Sequence, residues 1–167
     1  AFITGSPFVY IRYFGVEAQH YGWLFALNIV GVMVMSVVNR RIVQRYALET
    51  LLKVATSVAG VAALVLAAGA WFQVGGLILI VAAIFILFSM NGIIAASSTA
   101  AALDAAPNVA GSASALIGAL QYGSGIISSL MLAMLSDGTP WTMAWVIALF
   151  TCASTAIALT ARPKVAA

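Results

Sequence analysis

Five apolar stretches dominate this chain, at residues 21–38, 51–72, 77–101, 111–136 and 141–161. Each is about as long as the ~20 apolar residues that a helix needs to cross a bilayer. A sixth, at residues 1–14, is too short and reads as the last part of a spanning helix, so the chain is expected to begin inside a longer protein. With 64% of its 167 residues hydrophobic and only 7% charged, no water-soluble fold could bury the apolar surface. The expected architecture is all-α, a polytopic membrane bundle formed by residues 1–167.

One stretch departs from lipid-facing composition. From Pro107 to Ser128, Gly111, Ser114, Gly118, Gln121, Gly125 and Ser128 share one helical face, while Leu116, Ile117, Leu120, Ile126, Ile127 and Leu130 fill the others. In a membrane, small residues let neighbouring backbones approach, and an amide is tolerated where it meets protein or water. Gly111, Gly118 and Gly125 are therefore expected to pack against a neighbouring helix. The 51–72 stretch, nearly all Val, Ala and Leu, is expected to face lipid. In the 77–101 stretch, Ser89, Asn91, Gly92, Ser97, Ser98 and Thr99 interrupt the second half, which must meet something else.

The basic residues set a topology. Arg40, Arg41, Arg45 and Lys53 lie in or beside a loop at residues 39–50, and Arg162 and Lys164 lie in the tail on the same side. Arg12 stands alone on the other, beside a turn flanked by Tyr10, Tyr13, His20, Tyr21 and Trp23, which form an aromatic belt. The excess of Lys and Arg predicts a cytoplasmic 39–50 loop and a cytoplasmic C-terminus. The net charge of +3 comes from these scattered residues and forms no nucleic-acid-binding patch.

Asn28 falls ~10 Å from the outer end of its span, and Asn91 and Gln121 fall ~15 Å from the inner ends of theirs, all near the midplane. Any one amide alone would be read as a packing residue that hydrogen-bonds a neighbouring helix. Three on separate spans at one depth predict a lined hollow, in which neutral donors and acceptors suit varied organic molecules. Phe8, Phe25, Phe88 and Tyr122 are the candidate apolar walls.

Catalysis has little to build on. His20 is the sole histidine and sits in the outer turn; Asp104 and Asp137 fall on opposite sides of the membrane; Ser124 lacks a base. Cys152, alone in an apolar run, excludes a disulfide or a Cys-x-x-Cys site. No catalytic residue, metal site or cofactor is expected.

The segments GSPFVY at Gly5–Tyr10, FALN at Phe25–Asn28, Asn39 with Arg41, and LDAAPNVAGSAS at Leu103–Ser114 resemble the second half of bacterial bicyclomycin/chloramphenicol efflux transporters, within the major facilitator superfamily. The resemblance runs along nearly the whole chain and implies helices 7–12 of twelve, the first truncated. It also implies a bacterial inner membrane and drug export by alternating access. Asn28, Asn91 and Gln121 would then lie on cavity-lining helices. Asn39, Arg40, Arg41 and Arg45 resemble a degraded cytoplasmic gate motif, with Asn39 where that motif carries an acid. No ionisable side chain lies at mid-depth, so proton coupling would depend on a carboxylate in the N-terminal half, outside this chain. The implied partners are a small-molecule substrate, the lipid bilayer and protons, without nucleic acid. The alternative is a non-transporting module that anchors or assembles through its glycine seam.

Overall fold

The computed structural model describes residues 1–104 and 107–160 and is helical throughout its ordered elements. The first element, α1, is an α-helix at Phe2–Pro7 that continues as a π-helical turn at Phe8–Tyr13. Pro7 supplies no N–H to the helix ladder, and the turn after it widens. The amide of Phe14 reaches back to Val9 O at 3.1 Å, and Val16 N to Tyr10 O at 2.9 Å. The widened turn carries Val9 and Tyr10 into the core. The turn expected beside Arg12 is consequently short, residues 14–17.

Five long helices follow: α2 at Ala18–Ile42, α3 at Leu48–Phe72, α4 at Gly76–Asp104, α5 at Ala110–Leu135 and α6 at Pro140–Thr160. All five are long and apolar enough to cross a membrane, and each overlaps one expected span while differing at its ends. Both α2 and α3 extend into the expected 39–50 loop and leave only residues 43–47 between them. Between α4 and α5 lies a single 3-10 turn, Pro107–Val109. Arg162, Pro163 and Lys164, on which part of the topology argument rests, lie outside the described residues.

The order of packing corrects one expectation. Helix α3 is not a lipid-facing bystander, because it packs extensively on both α4 and α6. Its buried stripe is Ala55, Thr56, Ala59, Gly60, Ala62, Ala63 and Leu66. These side chains are small enough to let two neighbours approach, and association of helices in lipid depends on such close packing. At Gly60, an added methyl would lie 2.9 Å from Thr155 Oγ1 of α6. That hydroxyl donates across the interface to Thr56 O at 2.8 Å. Val54, Val58, Val61, Leu64 and Val65, on the other side of α3, are exposed.

The turns that follow α3 and α5 are tightly built. Helix α3 ends on Gln73 in the left-handed region, φ 55°, where glycine is the usual residue, and Val74 N closes the end on Gly69 O at 3.1 Å. Helix α6 starts at Pro140, at a position where no amide donor is required. Ahead of it, Asp137 Oδ1 accepts hydrogen bonds from Thr142 Oγ1 at 2.7 Å, Thr139 Oγ1 at 2.8 Å and Thr139 N at 3.0 Å. The indoles of Trp71 and Trp141 meet at 4.8 Å nearby and tie α3 to the start of α6.

Candidate functional site

The three amides do not share one environment. Asn28 is 4% exposed, closed into the α2–α4 interface, with its Nδ2 donating to Leu24 O of its own helix at 3.1 Å. Asn91 is exposed on α4, and Gln121 is exposed on α5. Among the described residues, neither of their amides has a side-chain hydrogen bond. Gln121 lines a groove of about 260 Å³ with Ser124, Gly125 and Ser128 of α5, Phe150 and Thr151 of α6, and Phe2 of α1. The expectation of three amides around one hollow is therefore corrected. Asn28 is occupied by its own backbone, while Asn91 and Gln121 keep free donors and acceptors.

The aromatic candidates also separate. Phe25 and Phe88 join a cluster around Phe2, with ring centroids 6.2 Å and 4.6 Å from it. Tyr10 and Tyr21 extend the cluster, 6.0 Å apart, and Tyr21 lies 6.3 Å from Phe25. Face and edge contacts of this kind make a packed core rather than the wall of an opening. Phe8 lines a different groove, with Thr4, Leu132, Ala133 and Met143. Tyr122 is 80% exposed and does not border the Gln121 groove.

Among the described residues, the glycine face of α5 does not make the helix contact expected of it. An added Cβ at Gly111, Gly118 or Gly125 meets nothing within 4 Å. The close approach occurs instead between α2 and α4. A methyl on Gly92 would lie 2.5 Å from Val32 O, and one on Gly31 would collide with Ser89 Oγ. Ser36 Oγ donates weakly to Gly92 O at 3.5 Å, and Ser97 Oγ to Asn39 Oδ1 at 3.4 Å. Asn39 is thus buried and hydrogen-bonded to α4 instead of standing at a charged gate. Arg40, Arg41 and Arg45 are exposed around it.

Two features escaped the sequence reading. Ser6 is fully buried, and its hydroxyl hydrogen-bonds the Tyr21 hydroxyl at 2.9 Å, linking α1 to α2. Ser89 Oγ and Tyr10 OH are buried without a partner among the described residues. The pair of hydroxyls at 6 and 21 carried no motif, because their meeting depends on the π turn between them.

The five membrane-length helices define an all-helical, polytopic membrane chain. It is 31% identical over 138 residues to the bicyclomycin resistance protein homologue of Haemophilus influenzae, a match over 82% of this chain and 34% of that protein. It is 32% identical over 120 residues to the uncharacterized MFS-type transporter YdgK of Bacillus subtilis, over 72% of this chain and 30% of that protein. By this homology the chain belongs with the major facilitator transporters, related to a bicyclomycin resistance protein, and its relatives are not enzymes. It spans about a third of the length of the curated relatives it matches. No family model matches the chain, and no solved structure matches it.

Proposed function

We propose that the chain is the C-terminal six-helix part of an exporter of small amphipathic organic molecules, driven by proton antiport and working by alternating access. The observation that carries this reading is a pair of open amides, one on α4 and one on α5. Asn91 and Gln121 are exposed on membrane-length helices, and their side chains have no hydrogen-bond partners among the described residues. An unpaired amide in hydrocarbon costs several kcal/mol, so each belongs against water, ligand or protein rather than lipid tails.

In this reading Asn91 and Gln121 supply the polar contacts to substrate. Asn28 is buried and hydrogen-bonded within α2, and is not counted among the substrate contacts. The open face of α5 at Gly111, Gly118 and Gly125 receives a helix from the remaining polypeptide, for which small residues leave room. The described spans carry charges only near their ends, as at Lys53 and Asp104, so the proton-carrying carboxylate belongs to the remainder. The excess of Lys and Arg supports a cytoplasmic 43–47 loop and a cytoplasmic C-terminus.

The test is efflux from membrane vesicles by the intact polypeptide carrying Gln121→Leu and Asn91→Leu. Loss of a hydrogen bond to substrate is expected to lower efflux by about tenfold, equivalent to ~1.4 kcal/mol. An unchanged rate and substrate range with both replacements would remove the two amides from the binding site.

A further inference from the structure

Between α3 and α4, with neither Asn91 nor Gln121 in its lining, lies a groove of about 460 Å³. Its walls are Val58, Val61 and Val65 of α3 and Leu79, Ala82 and Ile86 of α4. Val58, Val61, Val65 and Ile86 are exposed along it, and both helices are of membrane length, so the groove opens at bilayer depth. The section of α3 from Ser57 to Val65 covers ~12 Å of helix axis, most of one leaflet of a ~30 Å hydrocarbon core.

The groove is apolar along its length and polar only at one end. Ser57 contributes the one hydroxyl side chain of its lining, at the end nearest the 43–47 loop. Lys53 lies a turn beyond Ser57, ~6 Å closer to the loop. Residues 40–53 carry Arg40, Arg41, Arg45 and Lys53 against the single acid Glu49, which pairs with Lys53 at 2.6 Å. The three arginines are exposed, and among the described residues none has an ion-pair partner.

The geometry points to a bound anionic phospholipid, with one acyl chain in the α3–α4 groove and its head group at Lys53 and Arg45. The dry walls select a hydrocarbon chain, and Arg45, exposed ahead of α3 and without an ion-pair partner among the described residues, selects the head group together with the Lys53 end of the groove. Basic residues at a membrane surface attract anionic lipid, whereas a zwitterionic head group brings its own cation to the same rim. The site rests on membrane embedding alone and is independent of the transport reading.

Native mass spectrometry of the intact, delipidated polypeptide tests this, with phosphatidylglycerol and phosphatidylcholine of identical chains as probes. Phosphatidylglycerol is expected to be retained on the order of tenfold more tightly. The pair Arg45→Gln and Lys53→Gln should abolish that preference and leave weak binding of both lipids. Ala82→Trp, which fills the groove from an outward position, should remove the tight adduct while size-exclusion behaviour stays unchanged. Equal retention of the two lipids by the unmodified protein, or a tight adduct that survives Ala82→Trp, would overturn the assignment. A spin label at Val61→Cys in a Cys152→Ala background reports what covers the groove. High accessibility to oxygen supports lipid, and protection would show that another part of the polypeptide fills it and overturn the site.

Discussion

Gly92 of α4 sits directly beneath the backbone of Val32 on α2, so close that a single added methyl would lie 2.5 Å from the Val32 carbonyl oxygen. Because the obstructing atom is backbone, it cannot rotate aside, and the helices themselves must part.

Gly92→Ala is accordingly expected to lower stability by roughly 1–3 kcal/mol, the usual range for overpacking. Gly118→Ala meets open space and gains the better helix propensity of alanine, at most ~1 kcal/mol. Unfolding in mild detergent, followed by circular dichroism for both variants, reads the contrast. Equal effects at the two glycines would mean that the α2–α4 approach is not as close as described.

The Ser6–Tyr21 hydroxyl pair supplies a second comparison. Tyr21→Phe strands the buried Ser6 hydroxyl, at a cost of about 1–3 kcal/mol. Adding Ser6→Ala removes the stranded group, so the double variant should recover part of that loss. Thermal midpoints of the two singles and the double give the coupling, and strict additivity would deny the link between α1 and α2.

Asn28 and Gln121 should fail in different ways. Asn28→Leu disturbs a buried interface and is expected to reduce folded yield and thermal midpoint, by about 1–2 kcal/mol in stability. Gln121→Leu, at an exposed position, should keep the midpoint within about 0.5 kcal/mol and act on efflux alone. Measuring yield, midpoint and efflux on both variants separates the roles.

Asp137 makes stability acid-sensitive. Hydrogen bonds from Thr142 and then Thr139 hold its carboxyl below the usual aspartate value, with slight burial opposing them. A depressed folded value means that the stabilisation is complete above the unfolded value of about 3.9 and is lost as pH falls through the lower folded value. Unfolding midpoints between about pH 5 and pH 2 should therefore fall less steeply for Asp137→Asn than for the unmodified chain. Parallel curves would assign the acid sensitivity elsewhere.

The sequence disclosed the helices far better than their partners. Runs such as residues 51–72 are long enough to leave little choice but a span, because hydrocarbon imposes length and apolarity together. Periodicity along one helix, however, says which residues share a face and not what that face meets. The seam at Gly111, Gly118 and Gly125 looked like the packing edge, yet the tight contacts run through Gly31, Gly92 and the alanines of α3. Alanine is both apolar and small, so in α3 the packing stripe was invisible against an apolar background. Asn28 and Gln121 were equally conspicuous as polar interruptions, and only helix pairing tells a buried amide from an open one. At Asp137, the hydrogen bond from Thr142 depended on the register of α6, which the sequence does not display.

The wide turn at Phe8–Tyr13 holds one residue more than an α-helix would use over the same rise. Dropping one position there would tighten the turn to ordinary α geometry and swing Ser6 about the axis by ~100°, away from Tyr21, the same rotation that a deletion in α3 or α4 would impose on a packing stripe.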